Sequence, residues 1–234
     1  MWNNYFLQIR KKYSMRVSSK NPLIINLDGK DVTKNNDINI LEMYKGSFRY
    51  SMDKAAAFFT EKYNCLCIIG GDEISFIIEN PIELVNDLNS DNDMSSVEIS
   101  SMFSQYFFEY FNKFYENDII FFHGKCYSIN SDKIKSFIKY KSKLIVNLVT
   151  TYFLKKKDIH NFGNTKLSEK IKMCNEYIDY KKFSDIENGI LYYKGKKINL
   201  QNFLDDRIIE IEDIDNSVSS KNIEFDETNF SDIL

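Results

Sequence analysis

Residues Cys67–Glu79 read Cys-Ile-Ile-Gly-Gly-Asp-Glu-Ile-Ser-Phe-Ile-Ile-Glu, which is two apolar runs on either side of a Gly-Gly-Asp-Glu tip. Short apolar runs that flank glycine and acidic residues predict a β-hairpin. Gly70 and Gly71 permit positive φ and a close approach of a ligand to the backbone. Asp72 and Glu73 place two carboxylates at the tip, although Asp and Gly are also ordinary turn residues. The hairpin sequence alone is compatible with two interpretations: a plain acidic turn and a metal-binding turn.

A second apolar run, Leu23–Leu27, precedes Asp28-Gly29-Lys30 and predicts a buried strand that delivers Asp28 into a turn. Between this strand and the hairpin, residues 47–63 carry apolar side chains at helical spacing. The order strand, helix, hairpin allows the strands that carry Asp28 and Asp72 to lie side by side. We therefore expect the two carboxylates to meet.

Two carboxylates this close repel each other, and the repulsion raises one pKa unless a divalent cation lies between them. Mg²⁺ prefers hard oxygen ligands and commonly combines one or two carboxylates with nucleotide phosphates. A pair of such ions can activate an attacking oxygen and stabilise a leaving oxygen in phosphoryl transfer. Asp28 and Asp72 are therefore candidate metal ligands of a nucleotide-handling enzyme.

The chain of 234 residues is long enough for one large domain or a domain with an appendage. Hydrophobic residues make up 43% and aromatic residues 15%, which supports a substantial core. The segment 205–234 is acidic with few core-forming residues, so we predict a domain over residues 1–204 followed by an acidic tail. The net charge of −3 gives no global basic field, so any nucleic-acid binding needs a local basic surface.

Cysteine usage and hydropathy bear on the cellular compartment. The four cysteines form no zinc-binding pattern and are expected to be buried free thiols. The sequence has no apolar run of signal-peptide or transmembrane length. We therefore predict a cytoplasmic protein without membrane association.

The remaining segments predict further helices and strands. Helices are expected over residues 1–20, 95–115, 131–156 and from 165 to 180, a strand over 119–122, and a strand and hairpin over 190–198. The helix over 131–156 is rich in lysine. Lys139, Lys141 and Lys143 are candidates for an RNA-binding surface, although a solvated helix face is the more common meaning of such a run.

Several motifs together resemble the tRNA(His) guanylyltransferase family and its wider set of Thg1-like proteins, which are 3′–5′ nucleotide polymerases. Residues 25–30 resemble the family's strand that ends in Asp-Gly-Arg/Lys, and residues 72–76 resemble its Asp-Glu-Ile/Tyr-Ser-Phe hairpin. Phe122-His123-Gly124-Lys125 is similar to its Phe-Asp-x-Arg segment, and residues 178–194 resemble its closing strand. The resemblance covers about residues 5–200.

The resemblance implies a palm-like, ferredoxin-type α/β (α+β) fold, with an antiparallel sheet and helices packed on it. It implies that Asp28, the carbonyl of Gly29 and Asp72 hold two Mg²⁺ ions, with Asp28, Asp72 and Glu73 as the catalytic residues. GTP or ATP would be the substrate, a tRNA or related RNA the acceptor, and a homotetramer the assembly. The implied nucleotide-binding residues are Asp28, Gly29, Lys30, Asp31, Val32, Thr33, Gly71, Asp72 and Lys125.

The chain also departs from the family pattern. Thr33 stands where the family usually has histidine, Gly71 replaces a serine, and of a His-Ile-Asn-Asn-x-Tyr-Asn segment only Asn147 is kept. These departures favour metal chemistry over specific recognition of tRNA(His). Templated 5′-end repair, or a different acceptor altogether, fits at least as well. Two alternatives stay open: a nucleotide cyclase similar to diguanylate cyclases, whose signature is Gly-Gly-Asp-Glu-Phe, and a non-catalytic nucleotide- or RNA-binding module on a palm scaffold.

Overall fold

The computed structural model describes residues 17, 20–32, 43, 46–87, 95–156, 159, 165–176 and 189–205. The described elements are helices and short strands, and a 3₁₀ turn at Ser131–Lys133 precedes the longest helix. In chain order they are β1 (Leu23–Gly29), α1 (Ser47–Lys62), β2 (Leu66–Gly70), β3 (Glu73–Ile78), α2 (Ile82–Asp87), α3 (Ser96–Phe111), β4 (Phe122–Ser128), α4 (Ile134–Lys156), α5 (Leu167–Asn175), β5 (Ile190–Tyr193), β6 (Lys196–Ile198) and α6 (Leu200–Leu204).

The strands form one six-stranded antiparallel sheet in the order β4-β1-β3-β2-β5-β6. The first four strands, with α1 between β1 and β2 and α3 between β3 and β4, have the β-α-β-β-α-β order of ferredoxin-type folds. The hairpin β5–β6 extends this unit beside β2. The predicted palm-like sheet with helices packed on it is therefore confirmed.

Helices cover both faces of the sheet. Alternate residues of β1 divide between the faces, because successive side chains of a strand point in opposite directions. Ile25 and Leu27 pack with α1 and α3 in a core rich in aromatic rings, whereas Ile24 packs with Ile138 and Ile145 of α4. α5 packs on α4 through Cys174 and Leu154. The α4 face is the one that bears the candidate site.

The expected strand over 119–122 is wrong, since β4 begins only at Phe122. The backbone of Ile120 bonds to the side chain of Asn112 instead: Ile120 N–H donates to Asn112 Oδ1 and Asn112 Nδ2 donates to Ile120 O, each at 3.1 Å. Ile119 and Phe121 are exposed. The apolar run therefore forms a connection tied to the end of α3, and the less apolar Phe122–Ser128 segment forms the strand.

The helices predicted over 95–115 and 131–156 are found with shorter bounds. The aromatic helix begins at Ser96 behind a Ser95–Glu98 capping box, and the lysine-rich helix begins at Ile134. Most of the predicted helix over 1–20, residues 177–180 of the predicted helix from 165 to 180, and most of the acidic tail lie outside the described residues. The division at residue 204 therefore stays a prediction. All four cysteines are free. None of the described helices combines the length and the apolar character that a membrane crossing requires.

Candidate active site

Strand register brings three polar residues into one row across the ends of three neighbouring strands. Asp28, near the end of β1, is the direct partner of Glu73 in β3 and of His123 in β4. Directly opposed residues of antiparallel strands have neighbouring side chains on the same face. Two residues earlier on this face, Asn26 accepts a hydrogen bond from the Ser75 hydroxyl. The row of Asp28, Glu73 and His123 therefore lies where the apolar part of these strands gives way to the turns.

The tip of the β2–β3 hairpin is bound to the end of β1. Gly71 has a φ of +64°, in the left-handed region that glycine adopts without strain. The Gly29 N–H donates to the Asp72 carbonyl at 3.0 Å. A Cβ on Gly29 would lie 2.7 Å from Val32 Cγ2 and 3.4 Å from Asp72 Cβ, so the two turns approach closely because residue 29 is glycine. This contact fixes Asp72 beside Asp28.

The pKa values of Asp72 and Asp28 are both raised at this site. Asp72 is only 8% exposed. Burial, followed by the negative charge of Asp28, raises the pKa of Asp72 to about 7 from an ordinary 3.8. Asp28 is itself more open, and partial desolvation and the charge of Glu73 raise its pKa, while His123, Lys125 and Lys141 oppose the rise. The structure therefore brings Asp28 and Asp72 together, as the sequence predicts, and the charge of Asp28 contributes to the raised pKa of Asp72.

The charge of Glu73 is balanced by a lysine of α4. Lys141 Nζ of α4 forms an ion pair with Glu73 Oε1. The Lys141 side chain is 10% exposed and that of Glu73 33% exposed. Lys139 and Lys143 are exposed on the same helix. The structure therefore separates the three lysines that the sequence placed on one RNA-binding surface, since Lys141 lies at the site and the other two face solvent.

These residues open into a cavity of about 520 Å³ between the end of the sheet and α4. Its lining is Asp28, Gly29, Lys30, Asp31, Gly70, Asp72, Glu73, His123 and Leu148. Of the other predicted nucleotide-binding residues, Gly71 is buried in the tip, Val32 is buried beside Gly29, and Lys125 is exposed on β4 two residues beyond His123. Thr33 lies outside the described residues.

Sequence reasoning missed two lining residues, His123 and Leu148. His123 stands where the resembled family has an aspartate in its Phe-Asp-x-Arg segment. This match could have identified residue 123 as part of the site. Leu148 follows Asn147, the one residue kept from another family segment. Both positions adjoin motifs that the sequence already singled out.

The donors at the site fit a divalent cation whose coordination is completed by substrate. Asp28 and Asp72 offer hard carboxylate oxygens, and within the described part of the chain neither has an ion-pair partner. Over the same residues, no cluster of three or more His, Cys, Asp or Glu side chains could hold a metal ion unaided. Mg²⁺ sites at nucleotides have this character, because Mg²⁺ keeps waters and takes phosphate oxygens alongside one or two carboxylates.

No protein-family model matches the chain, and no curated protein matches its sequence. Among solved structures, it is similar to a bacterial tRNA(His) guanylyltransferase (Thg1)-like protein in complex with ATP, with a TM-score of 0.58 and 14% identity, covering 85% of this chain and 91% of that chain. A bacterial protein of the same description in complex with GTP gives a TM-score of 0.55 and 12% identity, covering 82% and 85%. The chain therefore has the fold of Thg1-like proteins, which confirms at the level of fold the resemblance seen in its motifs.

Proposed function

We propose that the protein is a Mg²⁺-dependent nucleotidyltransferase that adds nucleotides to the 5′ end of a tRNA or a related RNA. The observation that carries this proposal is the pair Asp28 and Asp72, which both line a cavity of about 520 Å³ at the end of a palm-type sheet. The fold is shared with Thg1-like proteins whose structures contain ATP and GTP, which supports nucleoside triphosphates as substrates.

Asp28, the carbonyl of Gly29 and Asp72 would hold two Mg²⁺ ions. When bound, the ions would activate an attacking hydroxyl and offset the charge that develops on the phosphoryl group. The turn Lys30–Val32 would receive the triphosphate, with the Lys30 ammonium as a donor. Asp31, whose φ is +59°, turns the backbone around the cavity here. Gly71 lets the tip approach the phosphates because it has no side chain.

The reaction is the attack of the incoming nucleotide's 3′ hydroxyl on the α-phosphorus of a triphosphorylated RNA 5′ end. A new phosphodiester bond forms, pyrophosphate leaves, and the incoming nucleotide's triphosphate becomes the new 5′ end. Lys125 is exposed on β4 beside the cavity and is suited to hold this activated end. Assembly as a homo-oligomer and a cytoplasmic location stay predictions.

The test is incubation with Mg²⁺, each labelled nucleoside triphosphate in turn, and a triphosphorylated tRNA that lacks its 5′ nucleotide. We expect 5′ extension with release of pyrophosphate, loss of this activity in Asp28→Asn and Asp72→Asn, and slower extension in Lys125→Ala. Asp118→Asn, an exposed acid outside the cavity, is the matched control. Growth at the 3′ end, or no incorporation of any nucleotide, would contradict the proposal.

The Gly-Gly-Asp-Glu tip also favours a second candidate, a cyclase that condenses two molecules of GTP. A reaction with GTP and Mg²⁺ but no RNA separates the two chemistries, since only a cyclase forms a cyclic dinucleotide. A non-catalytic module would bind labelled GTP in a filter assay and convert none of it under either condition.

A further inference from the structure

Glu73 occupies the position from which a third carboxylate could join the cation site. It follows Asp72 in the chain and is the direct cross-strand partner of Asp28, so its side chain lies on the same face of the sheet. It also lines the cavity that Asp28 and Asp72 line. Strand geometry alone would therefore assemble three acidic side chains.

Lys141 changes the role of this third carboxylate. Its ammonium contacts Glu73 Oε1, and the lysine side chain is only 10% exposed. A lysine buried to this degree needs an anionic partner, because desolvation of an unpaired charge costs far more than a hydrogen bond returns. Lys141 Nζ also lies 6.0 Å from the centroid of the Phe137 ring, one turn earlier in α4. The ammonium is thus held between an aromatic ring and Glu73.

The position of Lys141 is set by the packing of α4. Ile145, one turn beyond Lys141 on the same face, packs against Gly70 in the hairpin that carries Glu73. Ile138, three residues before Lys141, is fully buried in the same core. Lys141 therefore comes from a rigid element that contacts the hairpin directly, and not from a mobile loop.

We propose that Lys141 is a positioning residue that holds the Glu73 carboxylate out of the cation site, so that only Asp28 and Asp72 bind the cation through carboxylates. This inference rests on the proposed function. Each added carboxylate strengthens cation binding and occupies a coordination position. In phosphoryl transfer those positions are needed by the attacking oxygen and the phosphate oxygens. Lys141 thus keeps the cation available to substrate.

The test is a titration of the nucleotide-free protein with Mn²⁺, with free Mn²⁺ measured by electron paramagnetic resonance. Lys141→Met removes the charge and keeps the chain length. We expect it to bind Mn²⁺ about fivefold or more tightly than the wild type, because Glu73 becomes a ligand. The double variant Lys141→Met/Glu73→Gln, which removes both charges of the pair, should bind Mn²⁺ as the wild type does. Lys141→Arg, which keeps a cation, should also match the wild type.

Turnover gives the second measurement. In Lys141→Met we expect kcat for nucleotide addition to fall by about tenfold while KM for the nucleotide does not rise, since the loss arises at the reacting atoms. Lys141→Arg should restore most of kcat. Lys172→Met, an exposed lysine of α5, is the matched control and should change neither quantity. If Lys141→Met does not fold by circular dichroism, Lys141→Gln takes its place.

Three outcomes overturn the inference. Unchanged or weaker Mn²⁺ binding in Lys141→Met, with normal binding by the wild type, overturns the inference alone. Tighter binding that persists in the double variant also overturns it, because Glu73 would then not be the added ligand. Absence of Mn²⁺ binding by both the wild type and Lys141→Met, in which three carboxylates are available, overturns the cation site itself and, with it, the proposed function.

Discussion

Gly70 lies beneath the side chain of Ile145, so close that a Cβ at position 70 would overlap Ile145 Cγ1 and Cδ1. α4 can therefore pack onto the hairpin tip only because residue 70 has no side chain. Gly189, with a φ of +85°, approaches the same isoleucine, and a Cβ there would lie 2.6 Å from Ile145 Cδ1. One side chain of α4 thus depends on two glycines at the end of the sheet.

Gly70→Ala is expected to destabilise the protein by about 1–3 kcal/mol, because an added methyl in a packed core forces neighbouring groups to move. The free energy of unfolding in urea measures the effect. In the double variant Gly70→Ala/Ile145→Ala the added methyl enters the space that the isoleucine left, so the total loss should be less than the sum of the single losses. Additive losses would show that residue 70 and Ile145 do not compete for space.

The exposed lysines of α4 give a prediction about RNA. Replacing Lys139 and Lys143 together by Ala should weaken RNA association and flatten the slope of log K against log salt by about 1 to 2. With fewer phosphate contacts, binding releases fewer counterions from the RNA. Fluorescence anisotropy at several salt concentrations measures this slope. Lys141→Met should leave the slope unchanged, since its ammonium is buried against Glu73. Equal slopes for the wild type and the Lys139/Lys143 variant would show a merely solvated surface.

The separation of these lysines shows how far the sequence alone could go. Residues 139 and 143 are four apart and share one side of a helix, whereas residue 141 lies about 200° around the axis from each. Lys141 is three residues from Ile138 and four from Ile145, so helical spacing places it on the buried stripe. The helical spacing therefore indicated that Lys141 is buried, but the lysines at every second position suggested one shared basic surface.

The palm-type sheet was predictable because buried strands and their hairpin have strong local patterns. β1 and the tip at Asp72 were found from apolar runs that end in glycine and acidic residues. The bounds of β4 were not predictable, since the backbone of Ile120 in the more apolar segment exchanges hydrogen bonds with the Asn112 side chain and not with a neighbouring strand. The contact of Lys141 with Glu73 joins residues far apart in sequence, and local patterns do not encode such a contact.

The hairpin extension is tied to α1 by a hydrogen bond from the Tyr192 side chain and by one from the Gly195 backbone N–H to Thr60 Oγ1. The Tyr192 hydroxyl of β5 donates to Asp53 Oδ1 at 2.9 Å, and Arg49 pairs with the same carboxylate. Tyr192→Phe should lower the free energy of unfolding by about 1 kcal/mol, the usual net value of such a bond. Tyr193→Phe, the next residue along the strand and only half-buried, is the control and should change it by less than about 0.5 kcal/mol. Equal losses would contradict a specific role of Tyr192.

The last prediction concerns pH and the pair Asp28 and Asp72. The pKa of Asp72 is raised to about 7 in the folded protein from an ordinary 3.8. Between these two values the folded state holds a proton that the unfolded state has lost. This group therefore contributes most to stability at low pH, and the contribution is lost as pH rises toward 7. By pH 8 the ionised Asp72 costs up to about 4 kcal/mol.

Asp72→Asn removes this cost, since a neutral amide carries no charge to desolvate and does not repel Asp28. We expect the variant to be more stable than the wild type at pH 8, and the difference to shrink toward pH 4. Urea unfolding across this range measures both proteins. Mg²⁺ at pH 8 should stabilise the wild type, because a ligand that binds only the folded state raises its stability, and should leave Asp72→Asn unchanged. Parallel pH profiles with equal responses to Mg²⁺ would show that the two aspartates do not share a cation.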